Sequence, residues 1–225
     1  MSDTLTITQR AAAGDLVSFL HRARRVLDGS ARLIASDGFL QCYVGILFPR
    51  GLLDKTPTVL GLRVVEVAPG ETVDTTVPIE SLTHRIEQAL QHDGDVVVSV
   101  PTPSPSLQWT AVTPPRDGWK RRLSVTSSLL SEVAKNGITA ISDGLPENAG
   151  EPVVQRIRAE VWGQPVPHKK AIPWGAGFAA DALGFLGQRN LAVHTNGLWV
   201  RLSAHHGYVL VKGHETPEGL GEPED

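Results

Sequence analysis

The sequence is poor in the residues that build several common kinds of site. It contains one cysteine, Cys42, in 225 residues, which excludes an intramolecular disulfide and a cysteine-rich zinc site. No apolar run approaches the roughly 18 residues needed to cross a bilayer. The first thirty residues lack a positively charged start followed by an apolar core, so they do not resemble a secretory signal peptide. These absences predict a cytoplasmic protein that does not associate with membranes.

The charge balance is close to neutral. The formal net charge is −3, with 41% hydrophobic and 20% charged residues, which is typical of a globular protein with a packed core. Such a balance argues against an electrostatic grip of the whole protein on nucleic acid or anionic lipid. We therefore do not expect nucleic acid as a partner.

Motifs of nucleotide, hydrolytic and metal sites are also missing. The sequence has no GxxxxGK[ST] loop, GxSxG elbow or HExxH pair. Gly175 to Ala180 fits the GxGxxA form of a dinucleotide fingerprint, but no buried strand precedes it and no acid follows about 20 residues later. We interpret this run as close helix packing through small residues. We assign no catalytic residue, metal ligand or cofactor-binding residue, and we expect no cofactor.

The first part of the chain alternates helix and strand patterns. One amphipathic helix, starting at Thr8 or Asp15, is predicted to end at Asp28, and a second to start near Pro78. Between them, Asp37-Gly38 is a type I′ turn signal that would pair Leu33 with Cys42 and Ala35 with Leu40 on an apolar face. Cys42 is therefore predicted to be a core residue, and a reactive thiol is the less favoured alternative.

A proline-rich run, PTPSPS at 101–106, interrupts the composition. Three prolines in six residues exclude a helix or a central strand there, and a further strand is expected at 107–113. We predict two units, 1–115 and 116–213, and a disordered acidic tail at 214–225.

The second unit is predicted to contain three helices, followed by a three-stranded meander. The helices are expected at 123–136, 152–162 and 173–186, and the meander turns at Asn196-Gly197 and His206-Gly207. Because tight hairpins connect the strands, the predicted fold class is α+β, two units with mainly antiparallel sheet.

The meander has two chemically different faces. One is predicted to be apolar, with Leu191, Val193, Val200, Leu202, Val209 and Val211. The other carries the candidate binding residues His194, Trp199, Arg201 and Lys212, and the Asn196-Gly197 turn would pair His194 with Trp199.

Our leading hypothesis from these faces is a non-enzymatic ligand-binding or regulatory protein. An arginine and a tryptophan on one face suit an anionic or planar small ligand, held in a groove between the two units. A hydrolase or transferase with a spatially assembled Asp/Glu/His site is the alternative, and nucleic-acid binding through the meander is the third. A homodimer is left open.

Three segments resemble a family of uncharacterised two-part actinobacterial proteins. They are the runs GLWVRLS at 197–203, GYVLV at 207–211, and Val73 to Leu82. This family has no assigned activity, so the resemblance implies a two-part organisation and no particular function.

Overall fold

The computed structural model describes residues 4–26, 29–51, 54–105, 107–214 and 217. The predicted helix end at Asp28 and, apart from His214 and Pro217, the acidic tail lie outside the described residues. The fold is α+β, and the paired strands are antiparallel, as predicted. The chain divides into two compact units, the first formed by 1–45 and 62–111 and the second by 46–61 and 112–225. Among the described residues, no helix is long and apolar enough to cross a membrane.

The first unit places two helices against a sheet with the strand order β5-β2-β3-β4. Helix α1 packs against α2, and β1 pairs with β6 in a separate two-stranded sheet. Pro78 precedes α2 as its N-cap, close to the predicted start. The elements are β1 (Thr4–Ile7), α1 (Arg10–Val26), β2 (Ser30–Ser36), β3 (Phe39–Leu47), β4 (Thr58–Glu66), β5 (Val73–Pro78), α2 (Ile79–Ala89) and β6 (Val96–Ser99).

The β2–β3 hairpin has the predicted register. Leu33 faces Cys42 and Ala35 faces Leu40, and all four side chains are buried. Asp37 and Gly38 have φ angles of 55° and 78°, as a type I′ turn requires. Burial raises the pKa of the Cys42 thiol to about 12, so the thiol stays protonated and unreactive in the folded protein.

The proline-rich run forms a strap, residues 101–105 and 107–111, which crosses the first unit. The backbone N–H of Ser104 donates to Thr76 O of β5, and Arg32 donates to Thr110 O. The expected strand at 107–113 is wrong, because Gln108–Ala111 forms a 3-10 turn. This turn buries Trp109 to 3% exposure, with its ring over Gly45 of β3.

The second unit begins with a strand that our helix prediction at 123–136 missed. Strand β7 comes first, and the helix starts only after Thr126, whose side chain accepts a hydrogen bond from Leu129 N. The elements are β7 (Lys120–Thr126), α3 (Ser127–Gly144), α4 (Glu151–Trp162), β8 (Pro165–Val166), β9 (Lys169–Pro173), α5 (Trp174–Ala182), β10 (Asn190–Asn196), β11 (Trp199–Ala204) and β12 (Gly207–Lys212). The strand order is β12-β11-β10-β7.

Small residues let the three helices of the second unit approach closely. A Cβ on Gly177 would lie 2.6 Å from Val133 of α3, and one on Gly137 would lie 2.1 Å from the Trp162 ring. Trp162 also stacks on Phe178 with a centroid distance of 4.4 Å. The run at 175–180 thus packs helices together, as we interpreted it.

The meander has the predicted faces but not the predicted turns. All six residues of the apolar face are at most 2% exposed. The first turn is Gly197-Leu198, so His194 faces Arg201 and Asn196 faces Trp199, which corrects the predicted pairing of His194 with Trp199. Gly197 has φ +53°, which suits a turn with glycine in its first central position. The second turn is His205-His206. Both shifts are of two residues, so the side chains keep their faces.

Candidate functional site

One side of the sheet in the second unit is rich in cations. Arg121, Arg201 and Lys212 lie on the side of the sheet that carries His194 and Trp199, and the four strands β7, β10, β11 and β12 contain no Asp or Glu. Lys120 and Arg122 contact the opposite, apolar side, where Lys120 pairs with Thr195 and Arg122 donates to the Thr195 hydroxyl. Arg121 faces His194 across β7 and β10, and His194 faces Arg201 across β10 and β11. Facing side chains on neighbouring strands are about 5 Å apart at Cβ, so these three form a row. We call the side of the sheet that carries this row the basic sheet face.

Aromatic rings hold Arg201 at the centre of this face. The guanidinium carbon lies 4.6 Å from the Trp119 ring centroid and 5.3 Å from that of Tyr208. The Nε atom is buried without a hydrogen-bond partner in the part of the chain that the structure describes. Burial lowers the pKa of Arg201, which nevertheless stays charged because arginine is so strongly basic.

His194 lies in a positive environment. Its pKa is lowered first by burial, then by the charges of Arg201 and Arg121, so the imidazole is neutral at neutral pH. Its Nδ1 lies 3.2 Å from the Ser203 hydroxyl.

The structure brings together part of the predicted site. His194 and Arg201 are neighbours, whereas Lys212 pairs with Trp199. Trp199 is only 7% exposed. The rings that contact the Arg201 guanidinium are those of Trp119 and Tyr208. Sequence reasoning did not assign Trp119 and Arg121 to the site, because it predicted no strand at 120–126 that would place them beside β10. The sequence KRRLSVT, in which leucine and valine alternate with polar residues, was the available signal for a strand.

Two cavities open on another part of the second unit. The C-terminal pocket has a volume of about 290 Å³, and its lining includes Lys170, Pro173, Leu198, Val200 and Val211. The loop pocket, of about 510 Å³, lies between the 47–57 segment and α4. Both are lined by Pro57 and Gly163, so the two cavities are adjacent.

The two cavities differ in chemistry. The C-terminal pocket has only Lys170 and His214 as ionisable side chains beside its apolar ones, whereas the loop pocket contains Arg50, Asp54, Lys55, Arg156 and Glu160. Burial favours a raised pKa for Asp54, but hydrogen bonds from Thr56 and Arg50 lower the pKa overall, so the carboxylate is charged. Among the described residues, no cluster of His, Cys, Asp and Glu could hold a metal ion.

This arrangement of strands and helices resembles that of sliding clamps. A DNA polymerase sliding clamp of Caulobacter crescentus superimposes with a TM-score of 0.52 over 94% of this chain, at 16% identity. A Bartonella birtlesii DnaN sliding clamp with griselimycin bound gives 0.51 over 93% at 15% identity. A Eubacterium rectale protein described as a DNA polymerase III beta subunit gives 0.53 over 94% at 9% identity. The chain spans 65%, 64% and 65% of these three chains, respectively.

Two family models match the sequence, and both describe domains of unknown function. Residues 1–110 match DUF8010, and residues 114–216 match DUF8185. Together the matches fit an uncharacterised two-part family. No curated protein matches the chain.

The likeness to sliding clamps corrects our expectation about partners. We argued against nucleic acid from a net charge of −3. The chain is instead similar in fold to DNA polymerase sliding clamps, and three cations, Arg121, Arg201 and Lys212, share one face of the sheet in its second unit. The total charge was the wrong criterion, because phosphates respond to the local field.

Proposed function

We propose that this chain is a non-enzymatic, clamp-like protein that holds a partner protein at DNA. The observation that carries the proposal is the fold, which matches DNA polymerase sliding clamps over 94% of the chain. We also infer, from composition and the family resemblance, that it acts in the cytoplasm of an actinobacterium.

The adjacent pockets of the second unit supply a site for the partner protein. A cavity of about 290 Å³ is at the lower end of the range for ligand sites, so it suits one or two apolar side chains. The neighbouring loop pocket offers charges of both signs to polar groups of the same segment. An extended segment with an apolar anchor therefore fits the pair of pockets, whereas a folded domain does not enter them.

A charge in the C-terminal pocket should prevent this binding. Leu198 lines the pocket and is 38% exposed, so Leu198→Asp changes the pocket without disturbing the core. We expect a linear peptide, selected from a random library on the wild-type protein, to bind this variant at least about tenfold more weakly, because a buried carboxylate is costly to desolvate. Isothermal titration measures the affinity.

Ile138→Asp is the matched control. Ile138 is 50% exposed on α3 of the same unit and does not line the pocket, so its variant should bind like wild type. Equal affinity of the peptide for Leu198→Asp and wild type would contradict the pocket assignment, as would a selection that enriches no peptide.

A further inference from the structure

We infer that the basic sheet face binds single-stranded nucleic acid, with Arg121 and Arg201 contacting phosphates. The inference rests on the proposed function, because it specifies which surface meets nucleic acid. No residue of the basic sheet face is among those that line the pockets proposed for the partner protein. Val200 and Val211, the two residues of these strands that line the C-terminal pocket, belong to the apolar face.

The first argument is charge complementarity. The basic sheet face carries Arg121, Arg201 and Lys212, and its four strands contain no Asp or Glu, in a protein whose net charge is −3. The acids nearest along the chain are Asp117 and Glu215, each three residues beyond a strand end, and the Asp117 carbonyl oxygen accepts a hydrogen bond from Asn196 at the end of β10. A local excess of cations of this kind is the electrostatic signature of a surface that binds phosphates.

The second argument is the state of Arg201. The Trp119 and Tyr208 rings fix its guanidinium group, and no carboxylate pairs with it among the described residues. An arginine that stacks on rings keeps the N–H groups at its edge for hydrogen bonding, and this edge matches the geometry of a phosphate. The guanidinium is therefore positioned for a phosphate before any ligand arrives.

The shape of the face favours a single strand over a duplex. Four strands spaced about 4.8 Å apart span roughly 14 Å before side chains are counted, which exceeds the major-groove width of about 12 Å. An open sheet with cations and half-buried aromatic rings can instead follow a flexible backbone and stack unpaired bases. Trp119 and Tyr208 are the half-buried rings of this face.

The exposed helices offer a poorer surface for phosphates. On the first unit, α1 and α2 carry five arginines against three acids, and two of these acids, Glu80 and Glu87, pair with Arg24 and His21. On the second unit, α3 carries Glu132 and Asp143 against Lys135. Acidic side chains are therefore interspersed with the cations on the helices of both units, whereas the four strands of the basic sheet face contain no Asp or Glu.

The test measures fluorescence anisotropy of labelled oligothymidine of about 20 nucleotides at low salt, with oligouridine and a DNA duplex of the same length in parallel. We expect Arg121→Gln and Arg201→Gln each to weaken oligothymidine binding about 3–10-fold, because each removes a phosphate contact. Arg25→Gln, an equal charge change on exposed α1 of the first unit, should leave the affinity unchanged. Since Arg121 is exposed, its variant tests the face even if Arg201→Gln unfolds, which a melting curve reveals.

The outcomes separate this inference from the proposed function. Loss of affinity in Arg121→Gln but not in Arg25→Gln supports the inference, and the oligouridine arm decides whether RNA is bound as well as DNA. The inference is overturned if Arg25→Gln weakens oligothymidine binding as much as Arg121→Gln does. It is also overturned if the duplex binds more tightly than oligothymidine and Arg121→Gln does not weaken duplex binding. In both cases the basic sheet face is not the surface that binds nucleic acid, but the proposed association with DNA stands. No binding to any of the three nucleic acids overturns both.

Discussion

Gly137→Ala should lower the stability of the protein by about 2–3 kcal/mol, as expected for overpacking a core. The new Cβ would lie 2.1 Å from Cζ3 of Trp162, which is 3% exposed and stacked on Phe178. The ring therefore cannot move aside without disturbing α5. The loss outweighs the gain of roughly 1 kcal/mol that alanine gives over glycine in a helix. A melting curve should show a midpoint about 5–10 °C lower.

Gly144→Ala, in the same helix, is the control for this prediction. There the new Cβ would have its nearest contact at 3.7 Å from Ile157 Cγ2, an ordinary van der Waals distance. This variant should melt at the wild-type temperature or slightly above, because only the helix preference changes. If Gly137→Ala melts as high as Gly144→Ala, the Trp162 ring does not lie in the notch at Gly137.

Trp109→Ala should destabilise the protein by about 3–5 kcal/mol, the usual cost of truncating a buried tryptophan. The loss arises because this side chain, 3% exposed, holds the proline-rich strap over β3. Chemical denaturation monitored by circular dichroism gives the free energy of unfolding for the variant and for wild type.

Gly45→Ala tests the same contact from the other side. Its Cβ would lie 2.8 Å from Cε2 and Nε1 of Trp109, so the substitution should destabilise wild type but cost little once Trp109 is alanine. The double-mutant cycle should therefore give a coupling energy of roughly 1–3 kcal/mol. Additive effects of the two substitutions would mean that the Trp109 ring does not lie against Gly45.

Local signals sufficed for some of the fold. Asp37-Gly38 fixed the register of the first hairpin, because few residues accept positive φ at both central positions of a turn. The alternation of apolar residues predicted the faces of the meander even though the first turn lies one residue later, and the second one residue earlier, than expected. A shift of two residues in register leaves every side chain on its face, so burial alone did not reveal the error.

Long-range pairing accounts for what sequence reasoning missed. Strand β7 pairs with Asn190–Asn196, far along the chain, and nothing in KRRLSVT by itself indicates this partner. The contact between Trp119 and Arg201 depends on that pairing, so the aromatic part of the site was not predictable. The likeness to sliding clamps, at 9–16% identity, is carried by the arrangement of elements and not by motifs.

Association with DNA tests the clamp-like account most directly. The measurement is the anisotropy of a fluorescein-labelled primer annealed to a longer template, which presents duplex and single strand together, titrated with the whole protein at about 50 and 200 mM salt. We predict saturable binding that weakens roughly tenfold or more at the higher salt, as phosphate contacts through several cations require. An anisotropy that stays flat at low salt up to about 100 µM protein, the weak limit of ordinary non-specific binding, would contradict the account.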